Sequence, residues 1–395
     1  MVSISKFFPG VFSYDTMKKL LSIIVFCLTT LACRQPTYQY AENVKFSDIP
    51  KSVLYYAEGF SIQNTEFYTY LTVFNPWNKD TLSTYLLLKD SVFKNPLPAA
   101  DFKINLPVEK IACLSSTGIG MLNQLKSGHL ISAATDAELI YDSSLFDRFL
   151  QGHLENLGKV TNLNTELVIE HNPDLIIKYI FGGKELADSR LRDAGIPIVY
   201  HLEFMEPHPL GRAEWIKFLA VFVDQSALAD SIFSQIEKTY TYYSSLAKNE
   251  EQKPTVLDGS SYKGTWYAAG GLSFPARLYA DAGADYYWKN NNQTGSISLS
   301  FESIIEKQID ADYWIGASSG SKDELLSIES RYALLKPFKS GNVFYYGKRI
   351  NPNGGLDYYE SGVMRPDILL MDLLWIFHPH LLDINYDPVY LQQIK

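Results

Sequence analysis

One short segment groups four side chains that are able to bind a metal ion. His201, Glu203, Glu206 and His208 follow a predicted strand, and imidazole and carboxylate groups are ligands of zinc and manganese. The segment lacks both the compact His-x-x-x-His spacing and the cysteines that mark strong zinc sites. Prolines at positions 207 and 209 indicate a stiff connector. Direct metal binding through His201, Glu203 and His208 is therefore kept only as an alternative.

Aromatic and glycine residues are concentrated in two segments that come directly after predicted strands. Segment 179–183 includes Phe181, and segment 259–271 includes Tyr262, Trp266 and Tyr267. These rings combine broad apolar faces with polar edges, which suits a large, rigid and partly aromatic ligand. Packing of each ring against the surrounding protein is the competing interpretation.

Two arginines near the C-terminal end could bind an anionic ligand. Arg349 and Arg365 bracket the tyrosine pair Tyr358 and Tyr359. A guanidinium group can pair through two hydrogen bonds with carboxylate or catecholate oxygens. For Arg365 a salt bridge or a contact at a helix start competes with ligand binding, so Arg349 is the better candidate.

Catalytic motifs are missing from the sequence. No Gly-x-Ser-x-Gly elbow, phosphate-binding loop or complete Gly-x-Gly-x-x-Gly fingerprint follows a strand. Gly118 and Gly120 lie at a predicted helix start, but the third glycine is absent. The sequence therefore predicts a binding protein rather than an enzyme, and it predicts no cofactor.

One stretch of sequence occurs twice, and each copy carries a glutamate. Segment 162–177 aligns with segment 298–315, so that Glu166 matches Glu302. Each copy predicts a polar N-cap, a short helix with the glutamate in its first turn, and then a buried strand. A glutamate there can simply complement the helix dipole. Two copies nevertheless indicate two related lobes.

The elements around these residues change in character along the chain. Residues 68–74 and 83–88 predict a β-hairpin, and from Val108 onwards strands and helices alternate, as in a parallel sheet covered by helices. A long helix with Leu228, Ile232, Ile236, Tyr240, Tyr243 and Leu246 on one face interrupts this alternation and predicts a rigid connection between lobes.

The N-terminus resembles a bacterial lipoprotein signal. Lys18 and Lys19 precede an apolar run too short to span a membrane, and Cys33 follows Ala32 at its end. In such signals the cysteine is lipidated after cleavage, and Met17 could be the true start. An incidental cysteine after a plain secretory signal is the alternative. Only Cys113 would then remain, so we expect no disulfide.

Bulk composition limits the possible partners. The chain has 395 residues, 46% of them hydrophobic, and a formal net charge of −9. This composition is that of a globular protein, and the negative charge argues against nucleic acid and against an anionic lipid surface as partners. Attachment to a membrane would then depend on the lipid of Cys33.

The ordered motifs from Val108 to Leu382 resemble the substrate-binding proteins of ABC importers for iron–siderophore complexes, haem and cobalamin. The resemblance rests on segments 108–115, 164–177, 191–199, 214–218, 281–285, 300–302 and 362–367. It implies an α/β fold of two Rossmann-like lobes joined by one long rigid helix, here with an N-terminal β-rich extension. It also implies that Glu166 and Glu302 pair with arginines of the membrane permease.

The expected function is capture of a metal chelate in the cleft between the lobes and its delivery to the permease. An iron–siderophore complex is the first choice, with haem or cobalamin as alternatives. Expected ligand contacts are Thr117, Phe181, Tyr262, Trp266, Tyr267, Arg349, Tyr358 and Arg365. The expected partners are an inner-membrane permease–ATPase complex and the chelate. The protein would be a monomer in the periplasm.

The predicted organisation has six parts. These are a signal peptide (1–32), a lipid anchor and tether (33–52), the β-rich extension (53–107), the N-terminal lobe (108–224), the connecting helix (225–250) and the C-terminal lobe (251–395). Three other functions stay open: binding of free zinc or manganese, an exported enzyme or chelatase on the same scaffold, and a surface lipoprotein that binds a partner through its β region.

Overall fold

The computed structural model describes residues 51–89, 97–182 and 186–395. The predicted signal peptide, Cys33 and nearly all of the tether lie outside these ranges. Within them, no helix is both long and apolar enough to cross a membrane.

The chain first forms a four-stranded sheet, which we call the N-terminal sheet. Its first three strands are antiparallel and the fourth runs parallel to the third. The predicted hairpin is confirmed by the pairing of the second and third strands. In order, the strands are Phe60–Asn64, Tyr68–Phe74, Thr81–Leu88 and Phe102–Asn105.

Aromatic rings attach the N-terminal sheet to the lobe that follows. The ring of Phe60 lies 4.8 Å from that of Trp215 and 5.3 Å from that of Phe218, between ring centroids. Tyr85 is fully buried, and its hydroxyl accepts a hydrogen bond from the backbone N–H of Tyr200 at 3.0 Å. The sheet and the lobe therefore share one hydrophobic core.

The N-terminal lobe contains a parallel five-stranded sheet. Its strands are nearly continuous apolar runs, as expected for a sheet that is covered on both faces. From one edge to the other they are Ile198–Tyr200, Leu175–Lys178, Ile111–Cys113, Ile131–Ala134 and Glu155–Asn156. The helices of this lobe are Ser116–Gln124, Ser143–Leu150, Thr165–His171, Leu186–Asp193, Pro209–Glu214 and Ile216–Ala220, and Gly158–Lys159 pairs with Asn162–Leu163.

The C-terminal lobe repeats this plan with one antiparallel edge strand. Its main sheet is Asp285–Tyr286, Thr255–Asp258, Tyr313–Ile315, Val343–Tyr345 and Gln392–Gln393. A smaller antiparallel sheet contains Ser260–Tyr262, Thr265–Ala269 and Ser296–Leu299. The helices are Phe274–Asp281, Phe301–Gln308, Lys322–Ile328, Lys336–Ser340, Asp357–Glu360 and Pro366–Phe377. This architecture confirms the predicted fold class.

A single helix, Ser226–Lys248, connects the lobes in sequence. Its buried face is rotated by about one residue from the predicted one and consists of Ala229, Phe233, Ile236, Tyr240, Ser244 and Ala247. Small residues on this face permit close approach: a Cβ on Gly283 would lie 2.8 Å from the carbonyl oxygen of Ala247. The prediction counted only large apolar side chains and therefore missed this rotation.

The lobes also touch directly on one side. The Asn351 amide donates hydrogen bonds to the carbonyl oxygens of Glu138 and Ile140, both at 2.9 Å. The Glu360 carboxyl accepts from the backbone N–H groups of Tyr141 at 2.7 Å and Asp142 at 3.0 Å. These contacts join the C-terminal lobe to the N-terminal lobe at a site remote from the connecting helix in sequence.

Candidate functional site

The carboxyl ends of both parallel sheets open onto one cleft, which encloses about 920 Å³. This is the usual place for a ligand in α/β folds, because loops after parallel strands meet there. From the N-terminal lobe the cleft is lined by 115–117, 179, 181–182, 203–205 and Arg212, and from the C-terminal lobe by 258–259, 267–269, 273–275, 294–296, 316, 346, 358–359 and Val363. Trp77 of the N-terminal sheet completes the lining.

Among the described residues, nine aromatic side chains line the cleft. Phe181 is 73% exposed and Tyr359 is 58% exposed, although both are large rings that a folded protein usually buries. The rings of Tyr346 and Tyr358 stack at 4.1 Å, and Phe204 lies 5.3 Å from Phe181. Ring faces left open in a concave site suit a bulky ligand with flat apolar surfaces.

Arg212 supplies the only lysine or arginine side chain that lines the cleft within the described ranges. Its guanidinium donates to the carbonyl oxygen of Phe204 at 3.0 Å and lies 4.3 Å from the ring centroid of Phe274. Burial lowers its pKa, and the nearby Glu203 carboxyl partly offsets that effect. The group is thus held rigidly at the cleft surface.

Two acidic side chains balance this cation. Glu203 is 5% exposed, and its Oε2 lies 3.1 Å from His201 Nδ1, although the two atoms do not meet hydrogen-bond geometry. Asp258 accepts from the backbone N–H of Ala269 at 2.7 Å and from the Tyr279 hydroxyl. Burial raises the pKa of Asp258 to about 6, against the lowering effect of those hydrogen bonds. The cleft therefore carries no excess of positive charge.

Four of the eight predicted ligand contacts line the cleft: Thr117, Phe181, Tyr267 and Tyr358. They come from both lobes: Thr117 and Tyr358 lie in helices, Tyr267 lies within a strand of the small sheet, and Phe181 follows the strand Leu175–Lys178. A role in ligand contact stays a prediction for all four.

Two predicted aromatic contacts lie elsewhere. Trp266 is fully buried in the core of the C-terminal lobe, where its indole N–H donates to the carbonyl oxygen of Asp258 at 2.8 Å. Tyr262 is exposed on the small sheet but does not line the cleft. Side chains alternate between the two faces of a strand. Tyr267 therefore faces the cleft, whereas its neighbour Trp266 faces the core.

The two predicted arginine contacts also lie outside the cleft. Arg349 forms an ion pair with Asp357 at 2.7 Å, and its guanidinium lies 5.2 Å from the ring centroid of Tyr141. Arg365 forms an ion pair with Asp367 at 2.8 Å, beside the start of the last helix. Both arginines thus form salt bridges within the protein, which is the alternative to ligand binding that the sequence raised for Arg365.

The four candidate metal ligands do not converge. His208 caps a helix by accepting from the backbone N–H of Leu210 at 3.1 Å, and Glu206 accepts from the indole N–H of Trp215 at 2.7 Å. His201 Nδ1 lies 3.1 Å from Glu203 Oε2, so these two form a pair without further ligands. Within the described part of the chain, no group of three or more His, Cys, Asp or Glu side chains could hold a metal ion.

The two glutamates of the repeated stretch occupy matching positions. Glu166 and Glu302 lie in the first turns of Thr165–His171 and Phe301–Gln308, and both are exposed. The Glu302 carboxyl also forms an ion pair with Arg331 at 2.8 Å. Its own backbone N–H and then Arg331 lower the pKa of Glu302. Neither glutamate lines the cleft.

Sequence reasoning missed several residues of the cleft, among them Trp77, Phe204, Arg212, Tyr346 and Tyr359. Tyr346 directly follows the strand Val343–Tyr345, so the rule that strand ends face the cleft could have found it. Arg212 gave no such signal, because it reaches the cleft from the second turn of a short helix.

Solved structures share this fold at low sequence identity. A nickel-bound structure of Ceue from Helicobacter pylori has a TM-score of 0.55 at 16% identity, and the match covers 75% of this chain and 91% of that one. A periplasmic heme binding protein from Pseudomonas aeruginosa has a TM-score of 0.55 at 16% identity and covers 73% and 98%. A periplasmic vitamin B12 binding protein from Vibrio cholerae has a TM-score of 0.50 at 15% identity, with coverage of 68% and 98%.

Sequence relatives cover nearly the whole chain. Two uncharacterized lipoproteins of Methanocaldococcus jannaschii are each 25% identical to it; one alignment covers 92% of this chain and 94% of the relative, and the other covers 93% of both. The sequence pattern of the periplasmic binding protein family matches residues 111–350. More than half of the chain is thereby matched, in agreement with the predicted resemblance, and the chain belongs to the periplasmic binding protein family.

Proposed function

We propose that this protein is a lipid-anchored solute-binding protein that captures a bulky metal chelate of low net charge and delivers it to an ABC permease. The observation that carries this proposal is the aromatic cleft at the strand ends of both lobes. Aromatic rings in a concave site contribute affinity through apolar contact area, and a few fixed polar groups add specificity. The proposed work is binding and release, without a catalytic step.

The charge balance of the cleft supports the choice of ligand. The positive charge of Arg212 faces the carboxyl group of Glu203. Asp258 adds a second negative charge above the pKa of its carboxyl group, which is about 6. A polyanionic ferric tris-catecholate or a haem with two free propionates would meet uncompensated carboxylates, which is costly in a partly desolvated site. A ferric trihydroxamate siderophore or a corrinoid carries much less charge. Among iron–siderophore complexes, the hydroxamate type is therefore preferred.

The site of action follows from the predicted anchor. Lipidation of Cys33 would hold the protein at a membrane surface, and the lipoprotein relatives support this assignment. Glu166 and Glu302 would then pair with cationic residues of the permease. Two separated charges fix orientation and accelerate association while the contact remains reversible.

The first test is the visible absorption spectrum of the protein purified from its native host. Ferric chelates, corrinoids and haem absorb visible light, so we expect a coloured protein. A colourless preparation that gains no colour when incubated with any of these compounds would contradict the proposal. It would favour binding of free zinc or manganese, or an enzymatic role.

The second test is isothermal titration calorimetry with one member of each chelate class. We expect tighter binding of the trihydroxamate or corrinoid than of the tris-catecholate or haem. Glu203→Gln should reduce this preference, because it removes a carboxyl that opposes anionic ligands. Glu170→Gln, an exposed carboxyl outside the cleft, is the matched control. If the tris-catecholate binds tightest to the unaltered protein, the proposed ligand class is wrong.

A further inference from the structure

Trp77 is an aromatic residue of the cleft that comes from outside both lobes. It lies in the turn between the second and third strands of the N-terminal sheet, lines the cleft and is 46% exposed. The family pattern begins only at residue 111. A half-exposed indole at a concave site is a common feature of ligand contacts, because it offers a large contact area with few rotatable bonds.

Two buried glutamates of the N-terminal lobe hold the start of this sheet in place. Glu214 accepts from the backbone N–H groups of Tyr55, Tyr56 and Ala57 at 2.9–3.1 Å. Glu206 accepts from those of Glu58 and Gly59, also at 2.9–3.1 Å. Hydrogen bonds to buried carboxylates are among the strong ones, so segment 55–59 is fixed to the lobe.

The Trp77 turn is fixed to this same segment. The backbone N–H of Phe74 donates to the carbonyl oxygen of Gly59 at 2.8 Å, and Asn75 closes the turn by donating to the carbonyl oxygen of Asp80 at 2.7 Å. Between the turn and segment 202–207 there remains a void of only about 20 Å³. A Cβ on Gly59 would lie 2.7 Å from the Trp215 ring, so the packing there is close.

Glu206 connects this packing to the cleft itself. It directly follows the short helical turn Glu203–Met205, which lines the cleft. The Glu206 carboxyl accepts a hydrogen bond from the backbone N–H of Gly59, and the carbonyl oxygen of Gly59 accepts one from the backbone N–H of Phe74. These two bonds connect the turn at the cleft with the strand that leads to Trp77. Trp77 is therefore positioned by the N-terminal lobe rather than by its own loop alone.

We propose that the N-terminal sheet is a third wall of the cleft and that Trp77 contacts the bound ligand as a specificity-determining residue. This inference rests on the proposed function, because it assumes that the cleft binds a solute. The sheet would enlarge the aromatic contact area of the cleft. It thereby selects ligands large enough to span both lobes and the sheet.

The test is the dissociation constant of the best chelate from the calorimetric panel, measured for Trp77→Ala and Trp77→Phe. We expect an increase of about 10-fold for Trp77→Ala, since truncation of a central aromatic contact typically has an effect of this size. Trp77→Phe should restore most of the affinity. Phe67→Ala is the matched control: Phe67 is 38% exposed in the preceding turn of the same sheet, outside the cleft.

Fluorescence provides a second measurement. Bound ligand should protect Trp77 from acrylamide quenching, and this protection should disappear in Trp77→Phe. Trp215, Trp266 and Trp314 are fully buried already, and the half-buried Trp288 and Trp375 do not line the cleft. If Trp77→Ala leaves the dissociation constant unchanged and ligand does not alter the acrylamide quenching of the unaltered protein, Trp77 does not contact the ligand. The proposed function would not be affected by that result. If no chelate binds to the unaltered protein, the proposed function fails instead.

Discussion

The two copies of the repeated stretch fold into nearly identical helix starts. Asn164 caps Thr165–His171 by accepting from the backbone N–H of Leu167 at 3.1 Å. Ser300 caps Phe301–Gln308 by accepting from that of Ser303 at 3.2 Å. Each helix then carries an exposed glutamate in its first turn.

The electrostatic surroundings of the two glutamates differ. Glu302 pairs with Arg331, which also pairs with Glu329 at 2.7 Å and lies 4.4 Å from the Phe301 ring centroid. For Glu166 no such ion pair occurs within the described residues. Although the local structure is the same, the Glu166 carboxylate is available for a partner, whereas the Glu302 carboxylate is already paired with Arg331 of its own lobe. The two would make unequal contributions to permease docking.

The largest expected effect follows from reversing both charges. We expect Glu166→Lys combined with Glu302→Lys to abolish chelate uptake by cells, because both proposed contacts with the permease would become repulsive. Chelate affinity in calorimetry should stay unchanged, since neither residue lines the cleft. Glu170→Lys combined with Glu306→Lys reverses two other exposed charges of the same helices and is the control. Normal uptake in the first variant would exclude the docking role.

A third glutamate, Glu360, is buried in the contact between the lobes. Burial raises the pKa of Glu360 from 4.5 to about 7. A folded-state pKa above the unfolded value means that folding favours the protonated form. The stabilisation is therefore full below the unfolded pKa and is lost as the pH rises through about 7. As the pH rises from below the unfolded-state pKa to above the folded-state pKa, the unfolding free energy should fall by about 3 kcal/mol.

Urea unfolding at pH 5 and pH 8 measures this loss. In Glu360→Gln the difference between the two pH values should be smaller, because the titrating group is gone. Asp258 of the C-terminal lobe, whose pKa is about 6, contributes equally to the pH dependence of the unaltered protein and of Glu360→Gln. Its contribution therefore cancels when the two proteins are compared. An identical pH dependence in the variant would show that the Glu360 carboxyl does not titrate across this range, and the lobe contact would then be independent of pH.

The sequence predicts the helix caps of the two lobes but not the ion pairs around them. The caps at Asn164 and Ser300 and the alternation of strands and helices are local patterns, and all were predicted. Arg331 follows Glu302 by 29 positions, so no local rule brings them together. The same holds for Arg349, whose partner Asp357 competes with any ligand for its charge. The pairing of charges from different elements decides which arginine is available for a ligand, and the periodicity of the sequence does not encode that pairing.

The caps themselves allow a test of local equivalence. Asn164→Ala and Ser300→Ala should each lower the unfolding free energy by about 1 kcal/mol, because each leaves one N–H of the first turn without its side-chain acceptor. Urea titration of both variants measures this. Asn164→Ser and Ser300→Asn keep a capping oxygen and are the controls. A loss in only one lobe would mean that the two helix starts are not equivalent even locally.

The smallest expected effect concerns the ion pair that distinguishes the lobes. Arg331→Gln removes the cation that would compete with the proposed permease for Glu302, so association with permease in lipid nanodiscs should become severalfold faster at low salt. High salt should erase the gain, since exposed charges are then screened. Lys336→Gln removes another exposed cation of this lobe, which pairs with Asp312 at 2.8 Å, and serves as the control. If both variants accelerate association equally, the gain reflects net charge alone, and Glu302 is then no less available for docking than Glu166.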